Sequence, residues 1–220
     1  MARISPTLAG TAEGRSIVAL ASNAQVESGG GTSPDLLAAC RRGDREAWRE
    51  LYEAHKDRVY SIALHFLHGD AAAAADVTQQ VFLKLMDSIG SFRGTSSFST
   101  WLHRIVVNAC LDSTRRQRRS KVVAEPDTLE TIADPGLTSD IRVGQMEMNR
   151  SVQDAIAQLP PKLRIAILLR YFDDLAYTDM ATALNCSVGT VSSRLSRAHR
   201  LLAERLAPLR AAAQPETGRD

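Results

Sequence analysis

The chain has 220 residues, 44% of them hydrophobic and 24% charged, with a formal net charge of +2. That is enough for one or two domains with real cores, and no apolar run approaches the length of a membrane span. Three widely separated cysteines (Cys40, Cys110, Cys186) with no CxxC spacing argue against a disulfide framework or a metal site made within the chain.

The apolar run Ser16–Ala21 is too short for a secretory signal, so the protein is expected to be cytoplasmic and not inserted in a membrane. His65 and His68 sit three apart on a predicted helix, but no acid or cysteine joins them. A surface or interfacial role is expected there. Charge is distributed unevenly. Residues 35–121 hold 14 basic and 10 acidic side chains, residues 122–158 hold 2 and 7, and residues 159–210 hold 8 and 4. Two mildly basic blocks joined by an acidic one fit two nucleic-acid-facing domains and a linker that avoids phosphates.

Residues 1–33 carry scattered Gly, Ser, Thr and Ala without periodicity and are expected to be disordered. A short helix is predicted from Pro34 to Arg42, with Pro34 or Asp35 at its start. After Gly43-Asp44 a long helix is predicted over Arg45–Leu67, with Trp48, Leu51, Tyr52, His55, Val59, Ile62, Ala63 and Phe66 on one inward stripe. Gly69-Asp70 ends it. A third helix follows over Ala71–Ile89, its start driven by five alanines. Val77, Val81, Phe82 and Leu85 point inward. Asp76, Gln79, Gln80 and Lys84 form an outer face that is either plain surface or a docking surface.

Ser91–Thr100 (SFRGTSSFST) is predicted as a loop with two phenylalanines, one arginine and six hydroxyl residues. Such a loop either captures unstacked bases or tucks its rings onto a core. An amphipathic helix then starts at Trp101 and runs into Arg115, Arg116, Arg118, Arg119 and Lys121. Five cations in seven residues are a footprint for a phosphate backbone, favoured here over a solvated helix end by the aromatic loop before them.

From Val122 to about Arg142, prolines, a glycine and acids mark a linker. Taken with its flanks as about 26 flexible residues, it spans on the order of 28 Å on average and reaches about 90 Å at full stretch. Helical spacing resumes over Val143–Leu159, is broken by Pro160-Pro161, and returns over Lys162–Asp173. Leu175–Leu202 reads as helix, tight turn, helix. Asn185 suits the left-handed residue that ends the first helix, and Ser187 suits the N-cap of the second. Val188, Val191, Leu195, Ala198 and Leu202 make one apolar stripe. Gly189, Thr190, Ser193, Ser196, Arg197 and Arg200 lie opposite, flanked by Ser192 and Arg194, with no acid among them. A face of short hydroxyls and arginines suits a major groove. The tail after Leu209 is expected to fray.

These features in this order resemble the extracytoplasmic-function group of bacterial sigma factors. The stretch DVTQQVFLKLMDSIGSFRGTSSFSTWLHRIVVNACLDSTRRQRR is similar to their domain 2, and LPPKLRIAILLRYFDDLAYTDMATALNCSVGTVSSRLSRAHRLLAERL to their domain 4. The resemblance implies an all-α fold of two small helical domains, residues 34–121 and 145–209, joined by a linker over 122–144. It implies binding of core RNA polymerase, with Asp76, Gln79, Gln80, Phe82 and Leu83 docking on the clamp of the largest subunit and the outside of domain 4 meeting the flap of the second-largest. It implies that Phe92, Arg93, Phe98, Ser99, Thr100, Trp101, Arg104, Asn108, Arg115 and Arg116 open the minus-ten element and hold its single strand. Thr190, Ser192, Ser193, Arg194, Ser196, Arg197 and Arg200 would read the minus-thirty-five element as duplex. An anti-sigma partner is also implied. The chain departs from its relatives at Ala71–Ala75, where acids are usual, at Gln80 (commonly Glu), at Ala176 (a capping Ser) and at Asn185 (Gly).

The competing function is a helix-turn-helix regulator acting without core polymerase. It needs no single-strand capture, so the Phe92–Lys121 region discriminates against it. No catalytic triad, metal cluster, Gly-rich phosphate loop or paired carboxylate is visible, so neither catalysis nor a cofactor is expected.

Overall fold

The computed structural model describes residues 32–123 and 150–213, which are helical with short connections and, among the described residues, contain no strand. The expectations for residues 1–31, for most of the linker, for the start of the helix after Val143 and for residues beyond 213 lie outside the described residues.

Capping side chains set the element boundaries. Helix α1 (Pro34–Arg41) begins on Ser33, whose Oγ accepts the Leu36 amide at 3.1 Å, with Pro34 at the first position. Gly43 turns the chain at φ 83°, and Asp44 then caps α2 (Arg45–Phe66) by accepting the amides of Glu46 and Ala47. The same device recurs before α3 (Ala71–Ser88), where Asp70 accepts the Ala73 amide at 2.9 Å. A 3₁₀ turn over Ile89–Ser91 leads toward α4 (Phe98–Val123). The loop is therefore shorter than expected. Ser97 Oγ accepts the Thr100 amide at 3.1 Å, so Phe98, Ser99 and Thr100 belong to the first turn of α4.

Leu51, Val59 and Phe66 of α2 share a core with Val77, Val81 and Leu85 of α3 and with Val106 and Cys110 of α4, all at most 1% exposed. The predicted α2 stripe holds at Leu51, Val59, Ile62, Ala63 and Phe66. Tyr52 departs from it at 42% exposure. Trp48 is half-buried and donates Nε1 to the Cys40 carbonyl at 3.0 Å, which ties α1 to α2.

The second half comprises α5 (helical over residues 150–157), α6 (Pro161–Tyr171), α7 (Tyr177–Ala183) and α8 (Val188–Ala213). Every residue of α6 from Leu163 to Leu169 is buried. A helix buried all round must be covered on all sides. It packs on α7 and α8 and also on α2 and α4 of the first half. Helix α8 buries Val191, Leu195, Ala198, Leu202 and Leu206 and continues to Ala213, past the point where fraying was expected.

Arg164 lies in that seam at 6% exposure. It donates to the carbonyls of Ala157, at the end of α5, and of Leu159 just beyond it, and to that of Phe66 at the end of α2 at 2.6 Å. One guanidinium thus satisfies carbonyls at two helix C-termini, where a cation is favoured. Burial, with a smaller contribution from Arg118, pulls its pKa down to about 10, so it stays charged at neutral pH.

Candidate nucleic-acid interface

The helix-turn-helix is built from local chemistry. Ala176 stands at the N-cap of α7 and offers no side-chain bond, as its sequence position implied. The chain leaves α7 through Asn185 at φ 48°, and the Cys186 amide reaches back to the Ala181 carbonyl at 3.0 Å. Ser187 Oγ accepts the Thr190 amide at 3.1 Å and caps α8. Thr190 is half-buried, its hydroxyl 2.9 Å from that of Ser187, and Ser193 donates to the Thr190 carbonyl. These two hydroxyls are engaged within the helix start. Ser192, Ser193, Ser196, Arg197 and Arg200 are exposed and Arg194 is half-buried. Among the described residues, none of the three arginines forms an ion pair, so their charge is available to a ligand.

The second face lies at the start of α4. Phe92, Phe98 and Trp101 form a ring cluster with centroids 5.0 Å apart for Phe92–Trp101 and 5.9 Å for Phe98–Trp101, and His55 stands 5.4 Å from Phe98. Phe92 and Trp101 are half-buried and keep ring surface for stacking. Phe98 is only 6% exposed and supports the other two from beneath. Sequence reasoning missed Arg41, which donates to the Phe92 carbonyl at 2.7 Å and to the Ile89 carbonyl at 3.4 Å and so anchors the aromatic segment.

Arg93, Ser99, Arg104, Asn108, Arg115 and Arg116 are exposed. Arg104, Asn108 and Arg115 follow one another along one side of α4. Arg115 pairs with Asp112 at 3.0 Å, and Arg116 donates to Gln80 Oε1 at 2.6 Å, linking the end of α4 to α3. Thr100 differs from the others: it is 3% exposed and donates to Asp179 of α7 at 3.1 Å. Burial pushes the pKa of His55 down, with Arg58 and His103 adding to the effect. The Cys110 thiol is pushed up to about 12 by burial and is un-ionised at neutral pH.

A third face is a groove of about 440 Å³ between α2 and α3. Tyr52, Tyr60, Gln79, Phe82, Leu83 and Met86 are among its lining residues. Leu83 is 54% exposed and Met86 52%, while Phe82 is 8% exposed and packs its ring edge-on against Tyr52 at 4.7 Å. Asp76 and Gln79 are exposed and Gln80 is half-buried. Of the five residues expected to dock a protein, Gln79, Phe82 and Leu83 line the groove, while Asp76 and Gln80 do not, and Gln80 bonds Arg116 instead. The groove adds Tyr52, which the helical period placed on the inward stripe, and Met86, whose apolar side chain off the α3 stripe was the available signal.

Among the described residues, no three histidine, cysteine or acidic side chains converge on a possible metal, and no helix is long and apolar enough to cross a membrane. His65 and His68 are interfacial. His65 lies 4.5 Å from the Phe172 ring, and His68 shares a 2.6 Å hydrogen bond with Arg164.

Residues 51–120 match the family Sigma-70 region 2, and residues 149–202 match Sigma-70, region 4. Among curated proteins the chain is 37% identical to the RNA polymerase sigma-H factor of Pseudomonas aeruginosa, over 79% of this chain and 93% of that one. It is 32% identical to the ECF RNA polymerase sigma factor SigW of Bacillus subtilis, over 77% and 94%. It is also 32% identical to the ECF RNA polymerase sigma-E factor of Escherichia coli K12, over 81% and 96%. The fold resembles that of the sigma factor RpoE solved with the anti-sigma factor NepR from Bartonella quintana, with a TM-score of 0.58 at 23% identity, covering 72% of this chain and 96% of the other. It also resembles CnrH solved with the cytosolic domain of CnrY, with a TM-score of 0.57 at 20% identity, covering 83% and 99%. The chain belongs to the ECF group of sigma-70-type RNA polymerase sigma factors.

Proposed function

We propose that this sigma factor meets core polymerase and promoter through the three faces described above. The α2–α3 groove takes the clamp of the largest subunit, with Leu83 and Phe82 as apolar anchors and Asp76, Gln79 and Gln80 as its polar edge. Phe92 and Trp101 stack on bases of the melted minus-ten strand, with Arg93, Ser99, Arg104 and Asn108 beside them and Arg115 and Arg116 on the phosphates. Stacking of this kind contributes about 1–3 kcal/mol per base, which offsets the cost of unstacking. Phe98 supports the rings and Thr100 the start of α4. Ser192, Ser196, Arg194, Arg197 and Arg200 read the minus-thirty-five duplex, with Thr190 and Ser193 shaping the helix start.

Residues 34–121 act as the polymerase- and minus-ten-binding unit and residues 145–209 as the minus-thirty-five unit. The outside of the second meets the flap. The factor works in the cytoplasm and supplies no catalysis of its own, since nucleotide joining belongs to the polymerase. Relatives of the same fold have been solved with the anti-sigma factor NepR and with CnrY, and a partner of that kind fits this chain too.

One observation carries the reading. An unpaired cationic α8 face for duplex DNA and a half-exposed aromatic cluster for unstacked bases occur on one chain. Run-off transcription with purified core polymerase and genomic promoter fragments tests it. New defined start sites are expected only with the protein present. No new starts, with duplex binding intact, would leave a helix-turn-helix regulator acting alone.

A further inference from the structure

Helix α1 ends in a side chain that turns away from its own helix. Arg41 is the last residue of α1, where the free carbonyls of the helix end favour a cation. Its guanidinium crosses instead to the segment after α3. Nε donates to the Ile89 carbonyl at 3.4 Å and Nη2 to the Phe92 carbonyl at 2.7 Å. These carbonyls stand at either end of the 3₁₀ turn Ile89–Ser91. Ile89 is buried in the core, and Phe92 is the extended residue that leaves the turn. One planar fork across both therefore sets the direction in which the Phe92 ring departs toward Trp101, 5.0 Å away. The base of this strut is firm. Cys40, beside Arg41, is buried, and its carbonyl takes the Trp48 indole at 3.0 Å.

Arg41 keeps its charge while it does this. Both acceptors are neutral carbonyls, and among the described residues no acid pairs with it. The residue is exposed, and a guanidinium has more N–H donors than two carbonyls occupy. Arg93, next to Phe92, is also exposed and, among the described residues, pairs with no acid. A full cation on α1 thus stands at the rim of the half-buried rings.

From this arrangement we infer that Arg41 is a further residue of the strand-capture face, which positions the Phe92 ring and meets a phosphate of the captured strand beside it. The inference rests on the assignment of Phe92 and Trp101 to base stacking. A base stacked on those rings leaves its sugar and phosphate at their rim, and single-strand grooves combine aromatic platforms with cations along the backbone. A guanidinium serves both tasks at once. Its fork spans two carbonyls and still presents N–H groups to a phosphate, whereas an ammonium is a point charge that cannot bridge the turn and reach outward together. Helix α1 is then part of the DNA-binding unit, besides covering the core.

The test uses holoenzyme assembled from core polymerase and the full chain. The probe is a fluorescent oligonucleotide with the non-template strand of a promoter mapped by run-off. It carries 2-aminopurine among the minus-ten bases, whose emission falls on stacking. Arg41→Met removes both fork and charge. It is expected to weaken strand binding about tenfold and to lessen the quenching at saturation. It should also lower the slope of log affinity against log salt by about 0.7, the share of one phosphate contact on a single strand. Arg41→Lys keeps the charge and loses the fork, so affinity and quenching are expected to fall while the slope stays. Strand binding by Arg41→Met as tight as that of the unaltered protein would overturn the inference. Weaker binding with full quenching at saturation would overturn the positioning role, and an unaltered slope would overturn the phosphate contact. Should Arg41→Met fail to melt cooperatively, Arg41→Gln takes its place with the same outcomes. Trp101→Ala in the same assay keeps the two levels apart. If it binds weakly and Arg41→Met does not, only the role of Arg41 fails. If it too binds as the unaltered protein does, the stacking assignment fails and the role of Arg41 with it.

Discussion

The two faces proposed to meet DNA are made in opposite ways. The α8 face is set by neighbours in sequence: Asn185 turns the chain, Ser187 caps the helix, and the buried stripe from Val191 to Leu206 leaves the arginines outside. The α4 face is set by partners far away. Arg41 holds the aromatic segment, His55 backs Phe98, and Asp179 of the other half takes the Thr100 hydroxyl. A duplex reader needs a rigid helix with its side chains free. The face at the start of α4 is instead assembled by tertiary structure.

The contrast breaks most visibly at Arg164, where the locally built half depends on the other. Replacing Arg164 with Ala leaves the Phe66 and Leu159 carbonyls without their guanidinium donor and opens space in a fully buried seam. The expected loss is about 3 kcal/mol or more of unfolding free energy, since buried groups left unpaired cost about 1–3 kcal/mol each. Chemical denaturation of the full chain measures it. A loss below about 1 kcal/mol would mean that the helix-turn-helix half needs little from the first.

The next largest effects separate the faces from each other. Arg197→Ala is expected to weaken minus-thirty-five duplex binding by about 1–3 kcal/mol and to leave single-strand binding unchanged. Trp101→Ala should do the reverse, weakening capture of the melted strand by about 1–3 kcal/mol. Arg104→Ala should likewise impair promoter opening more than closed-complex binding. Fluorescence titration with duplex and single-stranded oligonucleotides, alongside permanganate footprinting of the open complex, distinguishes them. Equal loss of both binding modes in any one variant would erase the division of labour between α4 and α8.

How far the sequence revealed each face follows from the same contrast. The left-handed Asn185, the Ser187 cap, the missing cap at Ala176 and the punctuation at Gly43-Asp44 and Gly69-Asp70 depend on residues within a few positions, and all were legible. The first turn of α4 was misplaced because SFRGTSSFST offers several hydroxyls as caps, and only packing of Phe98 onto the core selects Ser97. Tyr52 fell on the helical period of the core stripe, but α3 leaves a groove beside it. The Arg58–Asp173 bond joins residues 115 positions apart, and no local spacing announces it.

The first half should also respond to pH through His55. Burial depresses its pKa below the ordinary 6.5, so the unfolded chain binds the proton first as pH falls. Stability is therefore complete above about pH 6.5 and declines below it, at no more than about 1.4 kcal/mol per pH unit. His55→Gln, which cannot titrate, is expected to flatten this part of the denaturation-versus-pH curve. An unchanged slope would assign the dependence to other groups.

The smallest effect tests whether the locally built face is as self-sufficient as its turn chemistry indicates. Helix α7 is only 7 residues long and starts at Ala176 without a side-chain cap. A serine there would accept an amide of the first turn, which in other helices contributes about 0.5–2 kcal/mol. If α7 is held mainly by its own ends, Ala176→Ser should stabilise the protein by about 1 kcal/mol and tighten duplex binding slightly, because the α7–α8 angle is better fixed. If α7 is instead held mainly by α4, through Thr100 and Asp179, the added cap should change little in the intact protein and more in an Asp179→Ala background. A double-mutant cycle on unfolding free energies separates the two cases. A coupling of about 0.5 kcal/mol or more between positions 176 and 179 would show that even the legible half is steadied by its neighbour.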